Sequence, residues 1–344
     1  MRLKAAAAYL LIYLALAAAY PHAQGLTPSA GDAVLVDSIG SVTARIYNAT
    51  TVTEDILTEV DATLRDGLPV VFIGEGAERL LEVAGAPITL EDLDDVAAAG
   101  VWLHLGQLGA PVSVLLVRDS FYSPECLEVA YRWLEEPVEA PSGSLSELYR
   151  LVAVLTEVDR HLPLGVLETR TEVLRVLDAS GFNTYDLTVN QRLTPGSDAG
   201  VSGWRWSSLE YAVDGSAPGA NMTLSSYDEP PREPPVGIFT LLWRLVTLRW
   251  GDIIPWLWGQ EQGVVWTDMS DFSRQLYQVR IEAPDGSAEA GEPLEARYHI
   301  VLKAAAGADP VYLRWTQVRY VKGGALSAER YTVPAMGGLL RVHT

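Results

Sequence analysis

Residues 294–302 read Leu-Glu-Ala-Arg-Tyr-His-Ile-Val-Leu, a run in which apolar side chains recur at every second position. Side chains on a β-strand point alternately to opposite faces, so this spacing predicts a strand with one buried face and one solvated face. Residues 186–190 repeat the pattern, and glycine, proline and asparagine turns separate such runs after Leu164. The sequence therefore predicts one or two antiparallel β-sandwiches in the second half of the chain.

Residues 33–136 show a different pattern, in which short apolar runs alternate with segments of helical periodicity. This succession is typical of βα units around a mainly parallel sheet, because a parallel connection needs a crossover. Thr51 and Glu54 form a capping box for one helix, and Ser123 caps another. The sequence therefore predicts an α/β N-terminal domain. Its candidate strands are Ala33–Val36, Val42–Tyr47, Pro69–Ile73, Val101–Leu105 and Val112–Val117.

A second capping box and a change in composition predict further boundaries along the chain. Ser144 and Glu147 predict a bridging helix between the two main parts. A Pro-rich loop then precedes the most apolar stretch after the N-terminus, which carries four tryptophans. The predicted divisions are 1–24 (signal peptide), 33–136 (α/β domain), 143–160 (bridging helix), 165–228 (β region), 236–260 (Trp-rich apolar insertion) and 272–344 (β domain).

Two short runs near the C-terminus carry a resemblance to a known class of module. Val-Arg-Ile-Glu-Ala-Pro at 279–284 and Ala-Gly-Glu-Pro-Leu-Glu-Ala-Arg-Tyr at 290–298 resemble the opening strand, turn and second strand of immunoglobulin-like modules of prokaryotic surface proteins. The resemblance implies an architecture and no functional residues, and no Cys…Trp…Cys framework accompanies it. The predicted fold class is thus an α/β N-terminal domain with a mainly parallel sheet, followed by a mostly antiparallel, immunoglobulin-like β-sandwich.

The first twenty-four residues have the layout of a secretory signal. Arg2 and Lys4 precede an unbroken apolar run, Ala5–Tyr20, and a polar exit follows. That run is shorter than the roughly 20 residues a membrane-spanning helix needs. We expect the mature chain to begin between Tyr20 and Gly25. The predicted location is outside the cell or on its surface, with tethering as the alternative if the segment is not cleaved.

Charge and cysteine content narrow the classes of function. The formal net charge of −19 repels phosphate backbones, so we predict no nucleic-acid partner. A single cysteine, Cys126, cannot form an internal disulfide, and we expect it to be buried and inert. The chain has no Gly-x-Ser-x-Gly elbow, no zinc signature and no phosphate-binding glycine loop of dinucleotide spacing. No cofactor is predicted beyond a Ca²⁺ or Mg²⁺ ion.

Such an ion could bind at the ends of the predicted N-terminal strands. Asp37, Glu75 and Asp119 each follow a candidate strand within a few residues, and Asn48 does the same. Ligands in open α/β sheets bind beyond the carboxyl ends of the strands, and carboxylates suit hard cations. Asp37, Glu75 and Asp119 are the candidate metal ligands. The alternative is that they are ordinary turn residues.

The tryptophans form the second candidate site. Trp204 and Trp206 share one face of a predicted strand, an arrangement that can stack on sugar rings. Trp250, Trp256 and Trp258 belong to the apolar insertion, which could dock on lipid or on a partner protein. The alternative is that all five indoles fill a core. Asn48-Ala49-Thr50 and Asn221-Met222-Thr223 are also glycosylation sequons.

Two functional hypotheses remain. The first is an exported cell-surface or extracellular protein with a binding or structural role, whose partner is a cell-envelope protein, a glycan or a membrane surface. The second is a secreted, metal-assisted hydrolase that uses the carboxylates at the strand ends. We favour the first, a protein that is not an enzyme.

Overall fold

The chain folds mostly into β-strands with few helices. The computed structural model describes residues 34–39, 42–84, 88–90, 96–107, 110–119, 125–136, 138, 149–177, 182–196, 203–227, 264–283, 289–323, 329–333 and 336–342. The predicted signal peptide and the Trp-rich insertion therefore lie outside the described residues. No helix in the described ranges is long and apolar enough to cross a membrane.

Within the described ranges the structure has seventeen strands and three α-helices. The helices are α1 (Glu54–Arg65), α2 (Arg79–Val83) and α3 (Glu125–Glu135). The strands are β1 (Val34–Ile39), β2 (Val42–Asn48), β3 (Val70–Ile73), β4 (Ile88–Leu90), β5 (Val96–Leu103), β6 (Val112–Asp119), β7 (Tyr149–His161), β8 (Gly165–Val176), β9 (Phe182–Pro195), β10 (Trp204–Asp214), β11 (Met222–Tyr227), β12 (Val265–Asp268), β13 (Leu276–Glu282), β14 (Leu294–Ala305), β15 (Val311–Lys322), β16 (Glu329–Thr332) and β17 (Met336–Val342).

The chain divides into two compact units. The first comprises Met1–Gly85, Asp95–Leu103 and Leu115–Pro137, and it holds β1 to β3, β5 and all three helices. The second comprises Ala86–Asp94, His104–Val114 and Val138–Thr344. Strand β6 begins in the second unit and ends in the first.

The first unit contains a mixed sheet, which corrects the prediction of a mainly parallel one. Strand β2 pairs with β3 in parallel, and α1 is the crossover between them. Strand β1 pairs with β2 antiparallel, and β3 pairs with β5 antiparallel. Only two residues of sequence separate β1 from β2, too few for a crossover, so the two strands pair as a hairpin. Helical periodicity between strands thus predicted one βαβ unit correctly.

Helix α3 packs against β5 through a close contact that glycine permits. A Cβ atom added to Gly100 would lie 2.9 Å from the Trp133 ring. Trp133 also makes an edge contact with Trp102, at 6.5 Å between ring centroids, and the Trp102 indole donates a hydrogen bond to Gly67 O. Cys126, on the same helix, is buried as predicted. This helix therefore contributes the large side chains that cover one part of the sheet.

The second unit is built from two mostly antiparallel sheets. In the first sheet the order is β7-β8-β9-β14-β11. In the second sheet the order is β12-β13-β10-β15-β17-β4, and β16 pairs with β15. Each sheet contains strands from both predicted segments, 165–228 and 272–344. In the first sheet β9 of the earlier segment pairs with β14 of the later one. In the second sheet β10 of the earlier segment pairs with β13 and β15 of the later one. The structure therefore joins two segments that the sequence divided.

Side chains from the two sheets meet in one interior. Tyr211 of β10 stacks on Tyr298 of β14, with ring centroids 4.9 Å apart. Arg314 of β15 forms an ion pair with Glu157 of β7. Both contacts join the two sheets face to face, and together they define a sandwich.

The predicted bridging helix over residues 143–160 is wrong where the structure describes it. Residues 149–161 form strand β7, which pairs with β8 along its whole length. Leu151 and Val154 are buried on one face of this strand, and Glu157 contacts the opposite sheet on the other. A strand buried on both faces has a continuous apolar sequence that periodicity cannot distinguish from a helix. Long-range pairing then decides the structure.

Candidate functional site

Two of the three candidate metal ligands, Asp37 and Glu75, lie at different levels of the sheet. In the β1–β2 ladder Asp37 lies opposite Ala44, whereas Asn48 lies opposite Ile73 at the far end of β2. Four residues of strand separate these two levels, about 13 Å at roughly 3.3 Å per residue. Glu75 follows β3, at the level of Asn48. Because β1 is antiparallel to its neighbour, its carboxyl end faces the opposite edge, and the rule for parallel strands fails there.

Glu75 and Asp119 have ordinary surroundings. Glu75 is exposed in the turn after β3, between two glycines. Asp119 ends β6, where its Oδ2 lies 3.9 Å from the Cys126 sulfur. The side chain of Asp37 lies outside the described part. Among the side chains that the structure describes, no group of three or more His, Cys, Asp or Glu is placed to hold a metal ion.

Trp204 and Trp206 share one face of β10, as predicted, but that face is turned inward. Trp206 is 1% exposed, and its indole donates a hydrogen bond to Glu292 O at 3.0 Å. Trp204 is also buried, and the Lys322 ammonium lies 5.6 Å from its ring centroid. The expectation that these two indoles stack on a sugar is therefore corrected: they fill the core, because burial of large rings contributes most there. Trp250, Trp256 and Trp258 lie outside the described residues.

The sandwich interior contains a polar row that the sequence analysis missed. Glu157, Thr169 and Gln191 lie side by side on three neighbouring strands. Gln191 Nε2 donates to Thr169 Oγ1 at 3.2 Å and to Thr316 Oγ1 of the facing sheet at 3.3 Å. Arg314 closes the row through its ion pair with Glu157. We call these five residues the polar row.

The polar row is buried, and burial sets its electrostatics. All five side chains are almost completely shielded from solvent. Burial by itself would lower the pKa of Arg314, but the Glu157 carboxylate outweighs that effect, so the pKa lies above its ordinary value. The Arg314 guanidinium therefore stays charged inside the protein. No sequence signal marks it, because a charged residue in an alternating strand is normally assigned to the solvated face.

An aromatic cluster occupies another part of the same interior. It consists of Tyr211, Tyr227, Trp266, Tyr277 and Tyr298, and it joins both sheets. Tyr298 is in contact with three of the others, and Tyr227 lies at the edge, with its ring 5.1 Å from that of Tyr277. Burial raises the pKa of Tyr298, and the neighbouring Tyr211 raises it further. The phenols therefore remain neutral.

Tyr227 connects this cluster to the surface of the sandwich. Its ring stacks on Phe272 at 5.1 Å, and its hydroxyl donates to Asp268 Oδ2 at 3.3 Å. Tyr227 ends β11, the last strand of the first sheet, whereas Asp268 ends β12, the first strand of the second. Phe272 and Val265 are about half exposed. We call Tyr227, Val265, Asp268 and Phe272 the aromatic edge.

The aromatic edge flanks the Trp-rich insertion in the sequence. The chain leaves the first sheet after Tyr227 and enters the second at Val265. The two strands that flank the insertion, β11 and β12, each lie at the end of a sheet in the described part of the chain. The contacts of Tyr227 hold them together. Sequence reasoning did not identify this edge, because it depends on which strands end each sheet.

The remaining histidines of interest are structural. His104 Nε2 lies 2.8 Å from Ser113 Oγ, both are buried, and burial lowers the pKa of His104 to about 4. His299 Nε2 lies 2.6 Å from Asp186 Oδ1 on the outer face of the first sheet. Neither histidine belongs to a described metal-binding group.

Comparison with known proteins gives no family for the chain. No family model matches it, and no curated protein matches it in sequence. Solved structures that match include the NetB toxin of Clostridium perfringens in its membrane-inserted form, with 6% identity over 54% of this chain and 92% of that chain and a TM-score of 0.27. A second, described as a pore forming protein, has 6% identity over 54% of this chain and 94% of that chain, with a TM-score of 0.22. At these scores the likeness carries no functional argument.

Proposed function

We propose that this chain is an exported protein that acts by binding a component of the cell envelope, and that the Trp-rich insertion is its binding element. The sandwich serves as the scaffold. The observation that carries the proposal is the aromatic edge: the two strands that flank residues 228–263 are fastened to each other by Tyr227. An insertion of this length placed between edge strands interrupts neither sheet.

The composition of the insertion supports a binding role. Residues 237–259 contain Trp243, Trp250, Trp256 and Trp258 among many aliphatic side chains, with three charged residues. An apolar surface of that size exceeds the few hundred Å² that soluble monomers usually leave exposed. Tryptophan is also enriched where proteins meet partners and membrane interfaces. A partner that covers this segment is therefore part of the proposal.

The N-terminal sequence supports export. A basic start, an apolar run and a polar exit are the parts of a secretory signal. The resemblance of residues 279–284 and 290–298 to immunoglobulin-like modules of prokaryotic surface proteins is extended here to a surface role. The alternative of a metal-assisted hydrolase gains no support from Asp37 and Glu75, because Asp37 pairs with Ala44 within the β1–β2 ladder whereas Glu75 follows β3, beyond the level of Asn48.

Co-sedimentation with envelope fractions from the native cells tests the proposal. We expect the purified chain to sediment with envelopes, and Trp250→Ala, Trp256→Ala and Trp258→Ala together to weaken sedimentation at least tenfold. Tyr331→Ala, which removes an exposed aromatic ring from β16, is the matched control and should sediment normally. Protease-treated envelopes and vesicles of envelope lipid then separate protein, glycan and lipid partners. Equal sedimentation of the triple variant and the wild type would refute the proposal.

A further inference from the structure

We infer that Asn48 and Asn221 are acceptors of N-linked glycans. The inference rests on the export part of the proposed function, because N-linked transfer acts on exported chains. Both residues begin Asn-x-Thr triplets whose middle residue is not proline. The triplets are Asn48-Ala49-Thr50 and Asn221-Met222-Thr223. The triplet alone is a short motif. The structure adds which atom of each side-chain amide is hydrogen-bonded within the fold.

Asn48 presents its amide nitrogen to solvent. The residue is exposed at the end of β2 and caps the short 3-10 helix Ala49–Thr51. Its Oδ1 accepts hydrogen bonds from Thr50 N at 3.1 Å and from Thr50 Oγ1 at 2.8 Å. Because a backbone N–H can only donate, the atom facing Thr50 must be the oxygen. The amide is planar, so Nδ2 points away from these contacts.

Asn221 has the same arrangement in a different setting. It is exposed just before β11, and its Oδ1 accepts from Val311 N at 2.8 Å. Its own backbone N–H donates to Val311 O at 2.9 Å, which fixes the residue against the start of β15. Thr223 is exposed on the same strand. Here too the oxygen is engaged by the fold, and Nδ2 lies on the opposite side of the amide.

A glycan at either nitrogen leaves these contacts intact. In the transfer, the Nδ2 lone pair forms a bond to C1 of the sugar while the C1–O bond to the lipid-linked phosphate donor breaks. The amide loses one proton to a base, and the lipid phosphate departs with the electron pair of the broken bond. Oδ1 keeps its lone pairs throughout. The hydrogen bonds from Thr50 and Val311 therefore survive modification.

The two asparagines outside sequons provide the contrast. Asn183 uses both amide atoms inside the fold: Oδ1 accepts from Arg175 Nη2 at 3.0 Å, and Nδ2 donates to Ala308 O at 3.2 Å. A sugar on that nitrogen would break the second bond. Asn190 lies within β9 and is followed by Gln191 and Arg192, which form no sequon. The sequence thus excludes both asparagines, and for Asn183 the structure agrees with it.

Peptide mapping by mass spectrometry tests the inference on the full chain, after enzymatic release of glycans in heavy-oxygen water. The chain is secreted from a host that carries out N-linked glycosylation, once with its own N-terminus and once with residues 1–24 replaced by an established leader. With the leader, we expect most molecules to carry a glycan at Asn48 and at Asn221 and none at Asn183 or Asn190. Secretion of a folded chain with both acceptors unmodified overturns the inference, and modification of one alone overturns it for the other.

Three variants distinguish acceptor chemistry from folding. Thr50→Val should abolish modification of Asn48 without affecting Asn221, and Thr50→Ser should restore it. Thr51→Val, which changes the neighbouring exposed hydroxyl outside the sequon, should leave the glycan in place. Loss of the glycan in Thr51→Val would count against the sequon assignment. A chain that is glycosylated only with the added leader would refute export by its own N-terminus and leave both acceptor sites standing.

Discussion

The polar row and the aromatic cluster lie in the same sandwich interior, yet their energetics differ. The aromatic cluster gains stability from ring contacts, for example Tyr211 on Tyr298, in addition to burial of area. The polar row loses the hydration of two charges, a cost that the ion pair between Glu157 and Arg314 and the Gln191 hydrogen bonds offset. Gln191 Oε1 and Arg314 Nε have no hydrogen-bond partner in the described part of the chain.

The difference indicates separate roles for the two regions. Rings can pack in several registers, whereas a buried carboxylate and a guanidinium accept only the register that brings them together. We therefore assign a net gain in stability to the aromatic cluster and the facing of the two sheets to the polar row. In a chain with one cysteine, no disulfide can fix that facing.

The largest expected effect comes from breaking the buried pair. Glu157→Ala leaves the Arg314 charge uncompensated and should lower the free energy of unfolding by about 3–5 kcal/mol. Urea denaturation measures it. The double variant Glu157→Leu with Arg314→Met should recover most of that loss, because it removes both desolvation penalties. If the single and double variants were equally unstable, the pair would not be the cause.

A smaller effect is expected in the aromatic cluster. Tyr298→Leu keeps an apolar side chain but removes the ring that contacts Tyr211, Trp266 and Tyr277, so we expect a loss of about 1–3 kcal/mol. Tyr298→Phe keeps the ring and should lie within about 0.5 kcal/mol of the wild type. Thermal unfolding of the three proteins gives the comparison. A Phe variant as unstable as the Leu variant would assign the stability to the hydroxyl instead.

The last effect depends on pH and is the smallest when taken per pH unit; it concerns His104, a buried polar group that is neutral. Burial lowers the pKa of His104 to about 4 from its ordinary value of 6.5, so between these values the unfolded chain binds a proton that the folded chain does not. Stability should therefore fall as the pH drops from about 6.5 to about 4, by at most about 1.4 kcal/mol per pH unit from this residue. His104→Gln should remove that contribution. An unchanged pH profile of stability in the variant would contradict the assignment.

The sequence predicted local elements well and long-range ones poorly. Helices α1 and α3 lie where helical periodicity predicted them, although the N-cap of α1 is Thr53 rather than Thr51 and makes no side-chain cap hydrogen bond. The alternation at 294–302 predicted β14 correctly. The predictions of a mainly parallel sheet and of a helix at 143–160 were wrong, because both structures depend on which distant strands pair. A strand such as β7 that is buried on both faces has no distinctive period.

The same limit applies to the candidate sites. The shared face of Trp204 and Trp206 followed from strand geometry, but whether that face is turned inward depends on the second sheet. Asp37 was predicted to lie at the same edge as Glu75 because the direction of β1 was unknown, whereas the structure pairs it with Ala44 within the β1–β2 ladder. Glu157 and Arg314 are separated by 157 residues in sequence, so no local pattern could have paired them.

Replacement of residues 236–260 by a short Gly/Ser linker tests the central claim most directly, because the described sandwich ends at Tyr227 and resumes at residue 264. Two quantities are measured on one protein: the midpoint and cooperativity of urea unfolding, and sedimentation with native envelopes. We predict that unfolding stays cooperative with a midpoint near that of the wild type and that sedimentation is lost. Undiminished sedimentation, or loss of cooperative unfolding, would contradict the account by showing that the insertion is dispensable for binding or belongs to the core.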